Sequence, residues 1–101
     1  MNILLDYLYR DGGNNKSRGY VLFSNLSNMS LEHITELIEA NLIDGCFFVA
    51  EKVGIPTLYP HPYDADLEHG WHEFSSIEEA PLDTVFSGQD IRDFLAKLES
   101  K

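Results

Sequence analysis

The chain has 101 residues, of which 44% are hydrophobic and 12% aromatic, so it can bury the core of one domain. Its 17 acidic and 7 basic residues give a net charge of −10, which repels nucleic-acid phosphates and anionic membranes. The single cysteine excludes an intramolecular disulfide, the N-terminus lacks a signal-peptide pattern, and no apolar run is long enough to span a bilayer. We therefore expect one compact domain over residues 1–101, located in the cytoplasm.

The N-terminal third is expected to begin with a β-hairpin. Residues 2–9 alternate with a period of two and are partly apolar on both sides, which predicts a central strand. Residues 10–16 are rich in Gly, Asn and Asp, which tolerate positive φ, and a second apolar run follows at 19–24. The two runs predict paired strands joined by a long turn.

An amphipathic helix is predicted over residues 31–42. Ser30 stands directly before it, where a hydroxyl can accept a backbone N–H of the first turn. Its apolar residues recur at helical spacing, and its glutamates lie elsewhere, on what we expect to be a solvated face. The helix is expected to end near Asp44 and Gly45.

The middle of the chain is less regular. Residues 46–53 fit either a buried strand or a helix that ends at Gly54, and Cys46 is expected to lie in the core. Three prolines in residues 55–62 favour a connecting segment or an edge strand.

The C-terminal part predicts one more strand and a second helix. Residues 71–75 combine large apolar with polar side chains, a pattern that is typical of a half-buried strand. Ser87 and Asp90 have the spacing of a capping box, and apolar residues at helical spacing follow from Ile91. The order predicts an α+β fold, with a small antiparallel sheet of three or four strands and two amphipathic helices packed on one face.

Three histidines, His61, His69 and His72, lie among carboxylates and suggest a metal site or acid–base chemistry. The i, i+3 spacing of His69 and His72 does not match the metalloprotease motif, and the nearby acids lack the glycine and the bidentate glutamate of a calcium loop. We interpret His61 and His69 as solvated loop residues and His72 as a surface strand residue, and we expect no cofactor. A metal-dependent or acid–base enzyme that uses these histidines is the alternative function.

The stretch from residue 64 to residue 90 contains many carboxylates and no lysine or arginine. Such a surface attracts basic partners, and neighbouring aromatic side chains can anchor them. The residues expected to contact a partner are Tyr63, Asp64, Asp66, Glu68, Trp71, Glu73, Glu78 and Glu79. The alternative is that the acids only maintain solubility and that Trp71 and Phe74 point into the core.

The segments FFxAxKxGIPxL at residues 47–58 and WHEF at residues 71–74 resemble a family of small acidic bacterial proteins without an assigned function. The resemblance covers most of the chain and implies no catalytic residue, cofactor or substrate. Compact acidic proteins of this length often resemble immunity proteins or inhibitors of nucleic-acid-handling machinery.

The sequence therefore predicts a binding protein rather than an enzyme. Its expected partner is a basic protein surface, and the sharper hypothesis is an inhibitor or immunity-type protein that occupies a nucleic-acid-binding site. A homodimer that buries residues 56–62 or the first hairpin is a third possibility.

Overall fold

The computed structural model describes residues 2–10, 16–58, 71–80 and 89–99. In chain order the elements are β1 (Ile3–Arg10), β2 (Lys16–Phe23), α1 (Leu31–Ala40), β3 (Phe47–Val49), a 3₁₀ helix (Ala50–Val53), β4 (Trp71–Glu79) and α2 (Ile91–Glu99). The strands form one antiparallel sheet in the order β2-β1-β4-β3. The predicted α+β fold is confirmed. No helix in these ranges is long and apolar enough to cross a membrane.

β1 is one of the two interior strands of the sheet, as its alternating sequence predicts. It pairs with β2 on one side and with β4 on the other. Its side chains Ile3, Leu5, Tyr7 and Tyr9 all point to the same face and are all buried. This row forms the floor of the hydrophobic core.

Both helices cover that same face of the sheet. The Ser30 hydroxyl accepts the His33 N–H at 3.1 Å and begins α1, as predicted. α1 then buries Ile34 and Ile38 in the core, and α2 buries Phe94 and three aliphatic neighbours there. We call this side the helix face of the sheet and the opposite side the far face.

The far face is defined by strand register and alternation. It carries Leu4, Asp6, Leu8 and Arg10 of β1; Lys16, Arg18, Tyr20 and Leu22 of β2; Trp71, Glu73, Ser76 and Glu78 of β4; and Phe47 and Val49 of β3.

A β-bulge in β4 changes which of its residues face the core. Tyr7 pairs with Phe74 and Asp6 pairs with Ser76, so Ser75 is the extra residue. Phe74 and Ile77 consequently both pack against the core although they are three residues apart. The strand is also longer than the predicted residues 71–75, since it extends to Glu79.

Residues 46–53 adopt both of the conformations that the sequence left open. Phe47–Val49 pairs with β4, and Ala50–Val53 forms the 3₁₀ helix. Gly54, at φ 74°, donates its N–H to the carbonyls of Ala50 and Glu51 and ends that helix. A left-handed conformation of this kind favours glycine because it has no Cβ. α1 ends earlier than predicted, at Ala40, and Asp44 and Gly45 form a turn with positive φ before β3.

Asp90 ties α2 to the end of β2. One carboxylate oxygen accepts the Ser24 hydroxyl at 2.8 Å and the Leu26 N–H at 3.0 Å, and the other accepts the Arg92 N–H at 3.1 Å. The predicted capping box placed Asp90 inside the helix, but Asp90 itself stands at the N-cap, directly before Ile91. Ser87 lies outside the described residues.

The environment of Asp90 favours its charged form. Partial burial alone would raise the pKa of this carboxyl. The hydrogen bonds from Leu26, Arg92 and Ser24, together with the positive charge of Arg92, outweigh that effect and lower the pKa below its usual value.

We expect Asp90→Ala to lower the free energy of unfolding by about 1–2 kcal/mol, because it removes the N-cap and leaves backbone N–H groups of the junction without their acceptor. Urea unfolding measures the change, and Glu99→Ala, an exposed site in the last turn of α2, is the control.

The pH dependence gives a second test of the same contact. Because the pKa of Asp90 is lowered by folding, its contribution is complete above the unfolded value of 3.8 and is lost as the pH falls below it. The Asp90→Ala protein should therefore lose less stability on acidification than the parent. Equal acid sensitivity of the two proteins would contradict this account.

Candidate functional site

The predicted partner-contact residues that fall within the described ranges all lie on β4. Trp71, Glu73 and Glu78 are on the far face, whereas Glu79, opposite Ile3, is on the helix face. β4 therefore brings together only part of the predicted set. Tyr63, Asp64, Asp66 and Glu68 lie outside the described residues, as do His61 and His69.

An aromatic cleft lies at one end of the far face. Trp71 is 40% exposed, and its ring packs on that of Phe47 with 5.5 Å between ring centroids. These two rings, with Arg10 and Glu73, line a cavity of about 150 Å³, which we call the aromatic cleft. Trp71 thus points away from the core, while Phe74 packs against it. The interpretation that both residues point inward is wrong for Trp71.

The carboxylate of the aromatic cleft is already paired. Arg10 Nε donates to Glu73 Oε2 at 3.1 Å, and both side chains are partly exposed. An ion pair in this environment contributes at most about 1 kcal/mol to stability. Its larger effect is positional, because it holds the carboxylate beside the Trp71 ring.

Charge on the far face is divided between its strands. Arg10 on β1 pairs with Lys16 on β2, and Arg18 lies next in the same row of β2. Asp6 on β1 lies opposite Ser76, whose hydroxyl is 3.5 Å from the Asp6 carboxylate. The β2 side of the face is therefore basic near the hairpin, and the β4 side carries the acids.

α1 carries a second group of acidic residues. Glu32, Glu36 and Glu39 are all exposed, and the last turn of the helix has no basic residue. This agrees with the solvated face that the sequence predicts.

His72 is buried rather than exposed, which corrects the interpretation of it as a surface strand residue. It is 0% exposed and lies on the helix face, opposite Phe48 of β3. Its ring lies 5.2 Å from that of Tyr9 and 6.0 Å from that of Tyr7. The surroundings of His72 are those of a core residue.

The Nε2 atom of His72 accepts the Leu58 N–H at 3.0 Å. An accepting Nε2 requires the neutral imidazole with its hydrogen on Nδ1. Because the lone pair of Nε2 is used in this hydrogen bond, Nε2 cannot bind a metal at the same time. Among the described residues no group of three or more His, Cys, Asp or Glu side chains could hold a metal ion. The geometry gives His72 a structural role, which is to fasten the segment after the 3₁₀ helix to the sheet.

Tyr7 fastens the same segment at a second point. Its hydroxyl donates to the carbonyl of Pro56 at 2.6 Å, and Leu58 lies against Gly19 of β2. Burial raises the pKa of Tyr7 to about 12, because the phenolate would lose its hydration there.

Cys46 is exposed, so its predicted place in the core is wrong. The positive-φ turn at Asp44 and Gly45 precedes it, and its carbonyl accepts the Phe74 N–H at 3.0 Å. The backbone of Cys46 is therefore held at the start of the sheet edge, at an exposed position.

Two residues of the aromatic cleft were missing from the sequence-based set, Arg10 and Phe47. Both meet Glu73 or Trp71 only through the strand register. The apolar run at residues 46–53 marked Phe47 as structural, and nothing local to Arg10 connects it with residue 73.

Comparisons of the sequence with protein-family models and with curated proteins, and of the structure with solved structures, find no match.

We expect His72→Phe to lower the free energy of unfolding by about 1–3 kcal/mol, because the Leu58 N–H loses its acceptor. Chemical denaturation measures this change. The control is His33→Phe at an exposed site of α1, which should leave stability nearly unchanged. A His72→Phe protein as stable as the control would show that this hydrogen bond does not hold the segment.

Tyr7 should ionise well above pH 10, and absorbance of tyrosinate at alkaline pH measures this. Because folding raises the pKa of Tyr7 above 10.0, its contribution to stability is complete below pH 10 and is lost as the pH rises towards about 12. Tyr7→Phe should reduce the absorbance change near pH 12 by one tyrosine and reduce the alkaline loss of stability. Superimposable titrations of the two proteins would refute the assignment.

Proposed function

We propose that this protein is a non-enzymatic binding module that docks a basic protein surface along the β4 side of its far face. The observation that carries the proposal is the aromatic cleft, where the exposed Trp71 ring lies beside the Glu73 carboxylate. A lysine or arginine side chain of a partner fits this combination. Its charge is attracted to the indole face, and its N–H groups reach a carboxylate.

The Arg10–Glu73 pair leaves room for such a contact. A carboxylate has two oxygens and can accept several hydrogen bonds, so Glu73 can bind a partner's cation while Oε2 keeps Arg10. Arg10 also positions the carboxylate before the partner arrives, which lowers the entropy that binding costs.

Long-range electrostatics support the choice of a basic partner. The chain has a net charge of −10, which steers positively charged surfaces toward it. Glu78 continues the acidic side of the far face beyond Glu73, whereas Lys16 and Arg18 lie on the other side. We therefore orient the partner's basic groups over β4 and away from the hairpin.

The sharper form of the proposal is inhibition of a nucleic-acid-binding protein. Such a protein presents the lysines and arginines that normally contact phosphates, and an acidic protein that covers them excludes the nucleic acid. In that case duplex DNA or RNA should displace this chain from the captured partner.

Affinity capture from the native host, at about 50 mM and about 500 mM salt, tests the partner's charge, because screening weakens contacts between exposed ions. The captured protein is identified by mass spectrometry, purified, and titrated by calorimetry. We expect its affinity to fall steeply with salt. A partner whose affinity is independent of salt would rule out docking on a basic surface.

Trp71→Ala is expected to reduce the affinity for that partner by about tenfold or more, since it removes the aromatic anchor. The matched control is Tyr20→Ala on β2, which removes a 65% exposed ring from the basic side of the same face and should change affinity little. Equal affinities of the two variants would show that the aromatic cleft is not the contact.

A further inference from the structure

A second cavity lies at the β3 edge of the sheet and shares Phe47 with the aromatic cleft. It has a volume of about 290 Å³ and opens between the end of α1, β3, the 3₁₀ helix and the end of α2. We call it the helix-end cavity. Its apolar lining includes Ala40, Leu42, Ile43, Phe48, Val53 and Leu98.

The charges at the helix-end cavity are opposite in sign to those of the chain as a whole. Within the described part of the chain, the charged residues of its lining are Lys52 and Lys97, although acids outnumber bases by 17 to 7 in the sequence. Both lysines are exposed, so they stand where the cavity opens to solvent. An apolar interior with cations at its mouth is complementary to an amphipathic anion.

One of these cations, Lys97, makes a hydrogen bond at an exposed position beside Gly54. The Lys97 ammonium donates to Gln89 Oε1 at 2.9 Å. It also lies 3.0 Å from the position that a Cβ on Gly54 would take, so the left-handed glycine that ends the 3₁₀ helix leaves space for it. This contact restricts the Lys97 side chain, which lowers the entropy that it loses on binding a ligand.

We propose that the helix-end cavity binds a small aliphatic carboxylate, with its chain among Leu42, Phe48 and Leu98 and its carboxylate beside Lys52 and Lys97. At roughly 30 Å³ for each water molecule, 290 Å³ corresponds to about ten water volumes, and therefore to a ligand of about ten non-hydrogen atoms. A medium-chain carboxylate has this size. The site takes a different ligand from the aromatic cleft, although the two share Phe47 in their linings.

Calorimetric titration of the whole chain with sodium octanoate tests the proposal, with octanamide as the uncharged ligand of nearly the same shape. A ligand this small is expected to bind with a dissociation constant of about 1 mM or below. Octanamide should bind about tenfold more weakly, because it keeps the apolar contacts but lacks the charge. Octanamide binding as tightly as octanoate, or no binding of octanoate at about 10 mM, would overturn the proposal.

Lysine variants locate the site. Lys52→Gln and Lys97→Gln should each weaken octanoate binding by about fivefold or more and leave octanamide binding unchanged. Lys16→Gln, on β2 and away from the cavity, is the control for a simple change of net charge. Equal octanoate affinities in all three variants would place the ligand elsewhere and overturn the assignment. Lys52→Gln keeps the test valid if loss of the Gln89 contact perturbs α2.

Discussion

The pairing of β1 with both β2 and β4 is the interaction on which the rest of the structure depends. One row of β1 side chains, from Ile3 to Tyr9, forms the floor of the core, and the other row lies on the far face. A shift of β1 by one residue would exchange the two rows and expose the core. The same register therefore sets the packing of the helices, the position of Glu73 beside Arg10, and the burial of His72.

The local features of the fold were predictable because each depends on neighbouring residues in the chain. The alternation in β1, the Ser30 cap and the apolar spacing in α2 are features of this kind, and the structure confirms each of them. Residues 46–53 could not be assigned because they contain a three-residue strand followed by a four-residue helix. Periodicity cannot distinguish segments that are shorter than one or two periods.

The candidate site was less predictable because long-range register builds it. The sequence identified Trp71 and Glu73, but Arg10 and Phe47 join them only through cross-strand pairing. The error at His72 has a local cause. Trp71 and Phe74 are three residues apart, so they must lie on opposite faces of a regular strand, and His72 shares the face of Phe74. Because Trp71 and Phe74 lie an odd number of residues apart, a core position for Phe74 predicts an exposed Trp71 and a buried His72.

The exposed position of Cys46 has a practical consequence for the two cavities. Phe47, the next residue, lines both the aromatic cleft and the helix-end cavity, and Cys46 is the single thiol of the chain. A maleimide dye coupled to this natural thiol would sit at the border between them. The fluorescence of one labelled sample of the unmutated protein can therefore report binding in either the aromatic cleft or the helix-end cavity.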